Sequence, residues 1–402
     1  MSQAGRCLVA GGLATVGCLL AHPGWVAMGD GGSSRPSGSP GPAHMGGRSG
    51  VGLPGTCPSA GGLDSERGEE VEAARAALLD AHRSCVNHVL EQLPSLSPAG
   101  REKARGLLHD MAADAHLAYA GAGLGEAYRA RLLQFRNAHP RAALDAFSPD
   151  LQRRVKAVRA IGGLKDPARL AEPVLFVALG DPSREIVFGA AFAAESGRYR
   201  SAALVDALLA ALVRHDPAWR DVWDCWETTP TWSSVISVTR ALAGIGSKRA
   251  APTLLALMLR RAEPNSIRDA ALAGALSASG EVRAIRHLMG LLSQVEVSFR
   301  STEWGKVLPG KVTMARADAA LMALIELTGQ DWRDYGFKRL SPAAPLAWTG
   351  ADYAFPGGEE RAAAIAKFKG WWNHNSRSPR YKDLKPLQLP RIEKASGSPE
   401  GT

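Results

Sequence analysis

From Leu151 to Trp372 the apolar positions recur with helical rather than strand spacing. Val235, Val238, Leu242 and Ile245 follow a rhythm of i, i+3, i+7 and i+10, which lays one apolar stripe along a helix. Small residues punctuate that stripe, and they repeat. The run Arg240-Ala241-Leu242-Ala243-Gly244 returns 30 residues later with Ala271-Leu272-Ala273-Gly274 aligned. At the same offset Leu255, Met258 and Leu259 map onto Ile285, Leu288 and Met289. A fixed period filled by two helical patterns predicts paired helices stacked into an array, because one pair alone cannot bury its apolar face. The Ala and Gly positions predict close approach between successive helices.

Further copies emerge once insertions are allowed. Arg159-Ala160-Ile161 precedes Arg240-Ala241-Leu242 by 81 residues, which is two periods plus an irregular Trp-rich stretch, Asp216 to Trp232. Ala190-Ala191-Phe192 occupies the small-residue positions between them. Downstream, Asp269-Ala270-Ala271-Leu272 recurs as Asp318-Ala319-Ala320-Leu321 after 49 residues, one period plus an insertion from Val295 to Thr313. Asp166-Pro167, Asp181-Pro182 and Asp216-Pro217 read as helix starts, with Asp accepting from free amides and Pro in the first turn. Five units are visible. Apart from the Trp insertion and the alternating Val295–Phe299 run, no segment sustains strand alternation, so the body is expected to be all-α.

These repeats, closed by Leu327-Thr328-Gly329-Gln330-Asp331 and by Lys369-Gly370-Trp371-Trp372, resemble bacterial short-period HEAT-repeat proteins related to the phycobilin-lyase-like HEAT domains. The resemblance covers roughly 151–372. It implies a right-handed α-solenoid with an N-terminal helical extension, whose second helices line a concave face. It names no substrate. The function it implies is a non-enzymatic scaffold for protein–protein contacts, with no cofactor and no metal.

Boundaries follow from composition. Residues 1–28 hold Arg6 and an apolar, uncharged stretch from Cys7 to Ala21, as a signal peptide or signal anchor does. Thr15-Val16-Gly17-Cys18 is an imperfect lipobox, and no A-x-A cleavage site precedes Ala27. Residues 29–63 are a Gly/Ser/Pro linker that cannot build a core. A helical region at 64–147 leads into the solenoid at 148–330, with insertions at 216–232 and 294–313; a cap follows at 331–375 and a disordered basic tail at 376–402. The leader points to the cell envelope, periplasmic or membrane-tethered, with a cytoplasmic location as the alternative. Were the chain exported, Cys57, Cys85 and Cys225 would remain, an odd number without a close pair, and no disulfide framework is expected.

Three motifs invite chemistry. His82, Cys85 and His88 sit at i, i+3 and i+6 near His109, Asp114 and His116, residue types that ligate zinc. An i, i+6 pair lies about 120° off one helix face, and no CxxC or HExxH accompanies it, so a metal site is not expected. Gly305-Lys306-Val307-Leu308-Pro309-Gly310-Lys311 fits G-x-x-x-x-G-K, but Val312 stands where the magnesium-binding hydroxyl belongs. A short β-hairpin between solenoid helices accounts for the same residues. The third motif is the Trp cluster: Trp219, Trp223 and Trp226 would align on one helix face among Asp and Glu residues, with Trp232 following. Such rings serve as interface anchors or pack back on the solenoid.

The net charge of +9 draws attention to Arg249, Arg260, Arg261, Arg283 and Arg286 on the second helices, with His287 beside them. If they share the inner face they form a cationic groove. Alkylpurine DNA glycosylases use similar basic HEAT-like grooves, so a nucleic-acid-binding protein or glycosylase-like enzyme is the alternative to a protein scaffold. Export would exclude it, and no matching catalytic pocket is assigned.

Overall fold

Apolar stripes turn inward and a helical array results. The computed structural model describes residues 59–80, 85–165, 169–215, 234–260, 266–300, 313–337 and 355–392. All of these belong to one unit, Thr56–Thr402. The leader, most of the linker, the Trp-rich insertion and the G-x-x-x-x-G-K segment lie outside the described residues.

The amino-terminal region comprises α1 (Gly68–Asp80), α2 (Val86–Gln92), α3 (Pro98–Ala122), α4 (Glu126–Ala138) and α5 (Pro140–Ala146). Ser97 starts α3: its Oγ accepts from the Gly100 amide at 2.9 Å, and Pro98 occupies the first turn. The array follows as pairs: α6 (Leu151–Ile161) with α7 (Glu172–Leu179), α8 (Arg184–Ser196) with α9 (Ala202–His215), and α10 (Ser234–Ile245) with α11 (Ala251–Leu259). Next come α12 (Ser266–Ala278) with α13 (Ile285–Leu291), and α14 (Arg316–Thr328), on which α15 (Gly358–Asn375) packs. The first helices α6, α8, α10, α12 and α14 each pack on the next, and the second helices flank them. A continuous core runs from Ala113 on α3 to Leu387.

Two left-handed glycines set the repeat register. Gly246 (φ 66°) and Gly280 (φ 65°) follow α10 and α12 at the same place, 34 residues apart. At that offset Leu242 meets Leu276, Ala250 meets Ala284, Leu254 meets Leu288 and Leu257 meets Leu291, all buried. The period is therefore 34 and not 30. A slip of four residues is about one helical turn and keeps the same stripe inward, so apolar spacing alone accepts either register.

The second insertion carries a β-hairpin. β1 (Val297–Arg300) pairs antiparallel with β2 (Thr313–Ala315), and Thr313 also bridges Phe355. This is not the parallel strand-to-helix setting a phosphate loop requires.

The carboxy-terminal segment departs from the expectation of a disordered tail. Residues 376–392 are described, and Tyr381 and Leu387 are buried. Tyr381 packs on Trp371 and Trp372, with ring centroids at 6.2 and 5.3 Å. Pro and Ser content predicted disorder; the aromatic cluster it docks against outweighs that composition.

A candidate interaction face on the first helices

Side chains that leave the core along α6, α8 and α10 meet one another between neighbouring first helices. On α6, the Arg159 guanidinium lies 4.8 Å from the centre of the Phe188 ring of α8. Its approach needs a small residue opposite: a Cβ at Gly189 would sit 3.1 Å from Arg159 Cγ. One turn beyond Phe188, Phe192 is 46% exposed. Glu195 then accepts from Arg240 Nη2 of α10 at 3.0 Å. Further along, Ser277 of α12 donates to Glu326 Oε2 of α14 at 2.6 Å. Arg159, Phe188, Phe192, Glu195 and Arg240 thus cross three neighbouring first helices, on the order of 20 Å for helices packed about 8–10 Å apart. This face alternates cation, aromatic pair, anion and cation.

Two members of the predicted cationic groove are paired with carboxylates. Arg249 lies in the turn between α10 and α11, where its fork donates to both Asp206 carboxylate oxygens of α9 at 2.6 and 2.7 Å. Arg283, at the equivalent turn between α12 and α13, donates to both oxygens of Glu281 at 2.9 and 2.7 Å. The hydrogen bonds from Arg283 hold the Glu281 carboxyl below its ordinary range, against burial, which pushes it up. These two charges are neutralised where they stand. Arg260 ends α11 and Arg286 lies on α13, both exposed. Arg261, Trp219, Trp223, Trp226 and Trp232 lie outside the described residues.

The histidine and cysteine cluster also comes apart. α1 ends at Asp80 and α2 begins at Val86, so His82, outside the described residues, shares no described helix with Cys85 and His88. Cys85 is disulfide-bonded, with its partner outside the described residues, which corrects the expectation drawn from an odd cysteine count. Asp114 is held by Arg136 at 2.8 Å, and His116 Nδ1 lies 3.2 Å from the Phe147 carbonyl. No cluster of metal-ligating side chains occurs among the described residues.

Phe188 and Phe192 were missed as site residues because Phe192 was aligned only as one of the small positions. The signal was present: two Phe one turn apart, on the side of α8 opposite Ile186, Ala190, Ala193 and Ala194. No family model, curated protein or solved structure matches this chain. No helix among the described residues is long and apolar enough to cross a membrane.

Proposed function

We propose that this chain is a non-enzymatic HEAT-repeat scaffold, a right-handed α-solenoid that holds a protein partner at the cell envelope. The observation that carries this reading is the half-exposed Phe192, set between the Arg159–Phe188 stack and the Glu195–Arg240 pair where α6, α8 and α10 adjoin. An exposed ring ringed by partly buried charges is the composition of an interface anchor. On this reading the docking surface lies on the first helices, not on the second helices that the family resemblance suggested. The apolar leader supports export, as does the oxidised Cys85, since structural disulfides persist outside reducing compartments.

The test is a photoreactive phenylalanine analogue placed at Phe192 in the native host, with the same probe at exposed Ala362 on α15 as control. A discrete envelope adduct from position 192, absent from position 362, is the expected result. Equal labelling from both positions, or none from 192, refutes the assignment of this face. The nucleic-acid alternative gains no support from Arg249 or Arg283, whose charges are already paired.

A further inference from the structure

Beyond α15 the chain does something the first-helix face does not explain. After turns at 376–383, residues 384–392 form neither helix nor strand; Pro386 and Pro390 stand in the segment and bias Lys385 and Leu389 before them toward extended backbone. Leu387 is 5% exposed, and Leu384, Leu389 and Ile392 are half-buried against the core. Lys385, Gln388 and Arg391 point to solvent. Among the described residues no backbone hydrogen bond holds 385–392. The polar contact is a side chain: His287 Nε2 of α13 lies 3.1 Å from the Leu387 carbonyl, 100 residues away in sequence.

This is how a groove recognises a peptide. One leucine fills a buried position, flanking apolar residues lie along the surface, and a side chain reads a main-chain carbonyl that any extended segment offers. The hold is modest, because one buried leucine, three half-buried apolar side chains and one hydrogen bond are set against ordering nine residues. The charges are also mismatched. Exposed Lys385 and Arg391 flank Leu387 in the segment, and exposed Arg286 stands next to His287 on the helix that Leu387 meets.

We propose that the surface around His287 is a second docking groove, for an extended leucine- and proline-bearing peptide with acidic flanks, and that the chain's own Leu384–Ile392 segment fills it in cis. The tail acts as a weak tethered ligand. A partner segment with the same apolar anchors and acidic neighbours fits the groove better and displaces it.

The experiment uses the full-length chain and two fluorescent nonapeptides read by anisotropy. One has the sequence of residues 384–392; the other carries Lys385→Glu and Arg391→Glu. A tether of this length supplies an effective concentration of about a millimolar, which masks the groove. Leu387→Asp in the chain is therefore expected to tighten binding of the first peptide by about tenfold or more, with helicity and Tm retained. The acidic peptide is expected to bind severalfold tighter again, and adding His287→Ala is expected to abolish the gain. A folded Leu387→Asp chain that binds neither peptide better than the natural chain overturns the groove. So does a collapse of Tm in that variant, which makes the segment part of the core. An acidic peptide that binds no better than the basic one overturns the partner's assigned charge.

Discussion

His215 closes α9, is 8% exposed, and its Nε2 is buried with no hydrogen-bond partner among the described residues. Burial, aided by the charges of Arg214 and Arg184, pushes its pKa from 6.5 down to about 4. The folded ring therefore stays neutral while the unfolded ring takes up a proton as pH falls through 6.5. Stability is full above that pH and drains as pH drops toward 4. The loss across this window is expected to be on the order of 2 kcal/mol, after allowing for partial solvent relief. Denaturant melts at pH 7 and 4.5 check it: His215→Leu is expected to flatten the slope, and an unchanged slope assigns the acid sensitivity to other groups. Residue chemistry of this kind was poorly legible in the sequence. Arg249 and Arg283 read as free cations, whereas Asp206, which neutralises Arg249, stands 43 residues away and becomes a neighbour only through packing. The repeated Asp-Ala-Ala-Leu was visible, but not its purpose. Asp269 accepts from Arg316 Nε at 2.8 Å and Asp318 from Arg361 Nε at 2.6 Å, so each buried carboxylate takes a guanidinium from the following unit.

Elements were far more legible than their contacts. A stripe of apolar residues predicts a helix whatever lies opposite, so the first and second helices of the array were readable from spacing alone. Register was not, since a one-turn slip preserves the stripe; the turn backbone decides it. Gly246, Gly280 and Gly329 hold left-handed conformations just after α10, α12 and α14. After α8 the left-handed position is Arg198, with φ 55°. An L side chain there carries a steric cost that glycine avoids. Arg198 is exposed, so little packing is lost on replacing it. Arg198→Gly is expected to raise stability by about 1 kcal/mol. Gly246→Ala is expected to lower it by at least as much, because the added Cβ would also lie 3.2 Å from the Ala278 carbonyl. Thermal melts of the two variants check the pair; an Arg198→Gly chain that melts lower shows that the arginine stem contributes packing the exposed side chain does not suggest.

At the scale of the whole described unit the chain builds two cores, not one. A small amino-terminal cluster gathers Leu63, Leu78, Cys85, Val89, Leu107 and Met111, while the larger core starts at Ala113 on the same helix α3. The joint is polar. Asp110, almost fully buried, takes Arg75 of α1, Arg141 of α5 at 3.5 Å and Arg153 of α6 at 3.8 Å. A carboxylate shared by three helices ties the small cluster to the first unit of the array. The cluster itself holds few apolar side chains, and Cys85, one of its members, is disulfide-bonded. Reducing that bond is expected to cost the cluster about 3 kcal/mol, a factor of roughly a hundred in local opening. Hydrogen exchange with and without reductant is the measurement. Amides of α1 and α2 are expected to exchange about a hundredfold faster on reduction, while those of α8, α10, α12 and α14 keep their protection. Equal acceleration along the array would show instead that the Asp110 joint couples both cores into one cooperative unit, so that a partner bound on the first-helix face would feel the redox state of the amino terminus.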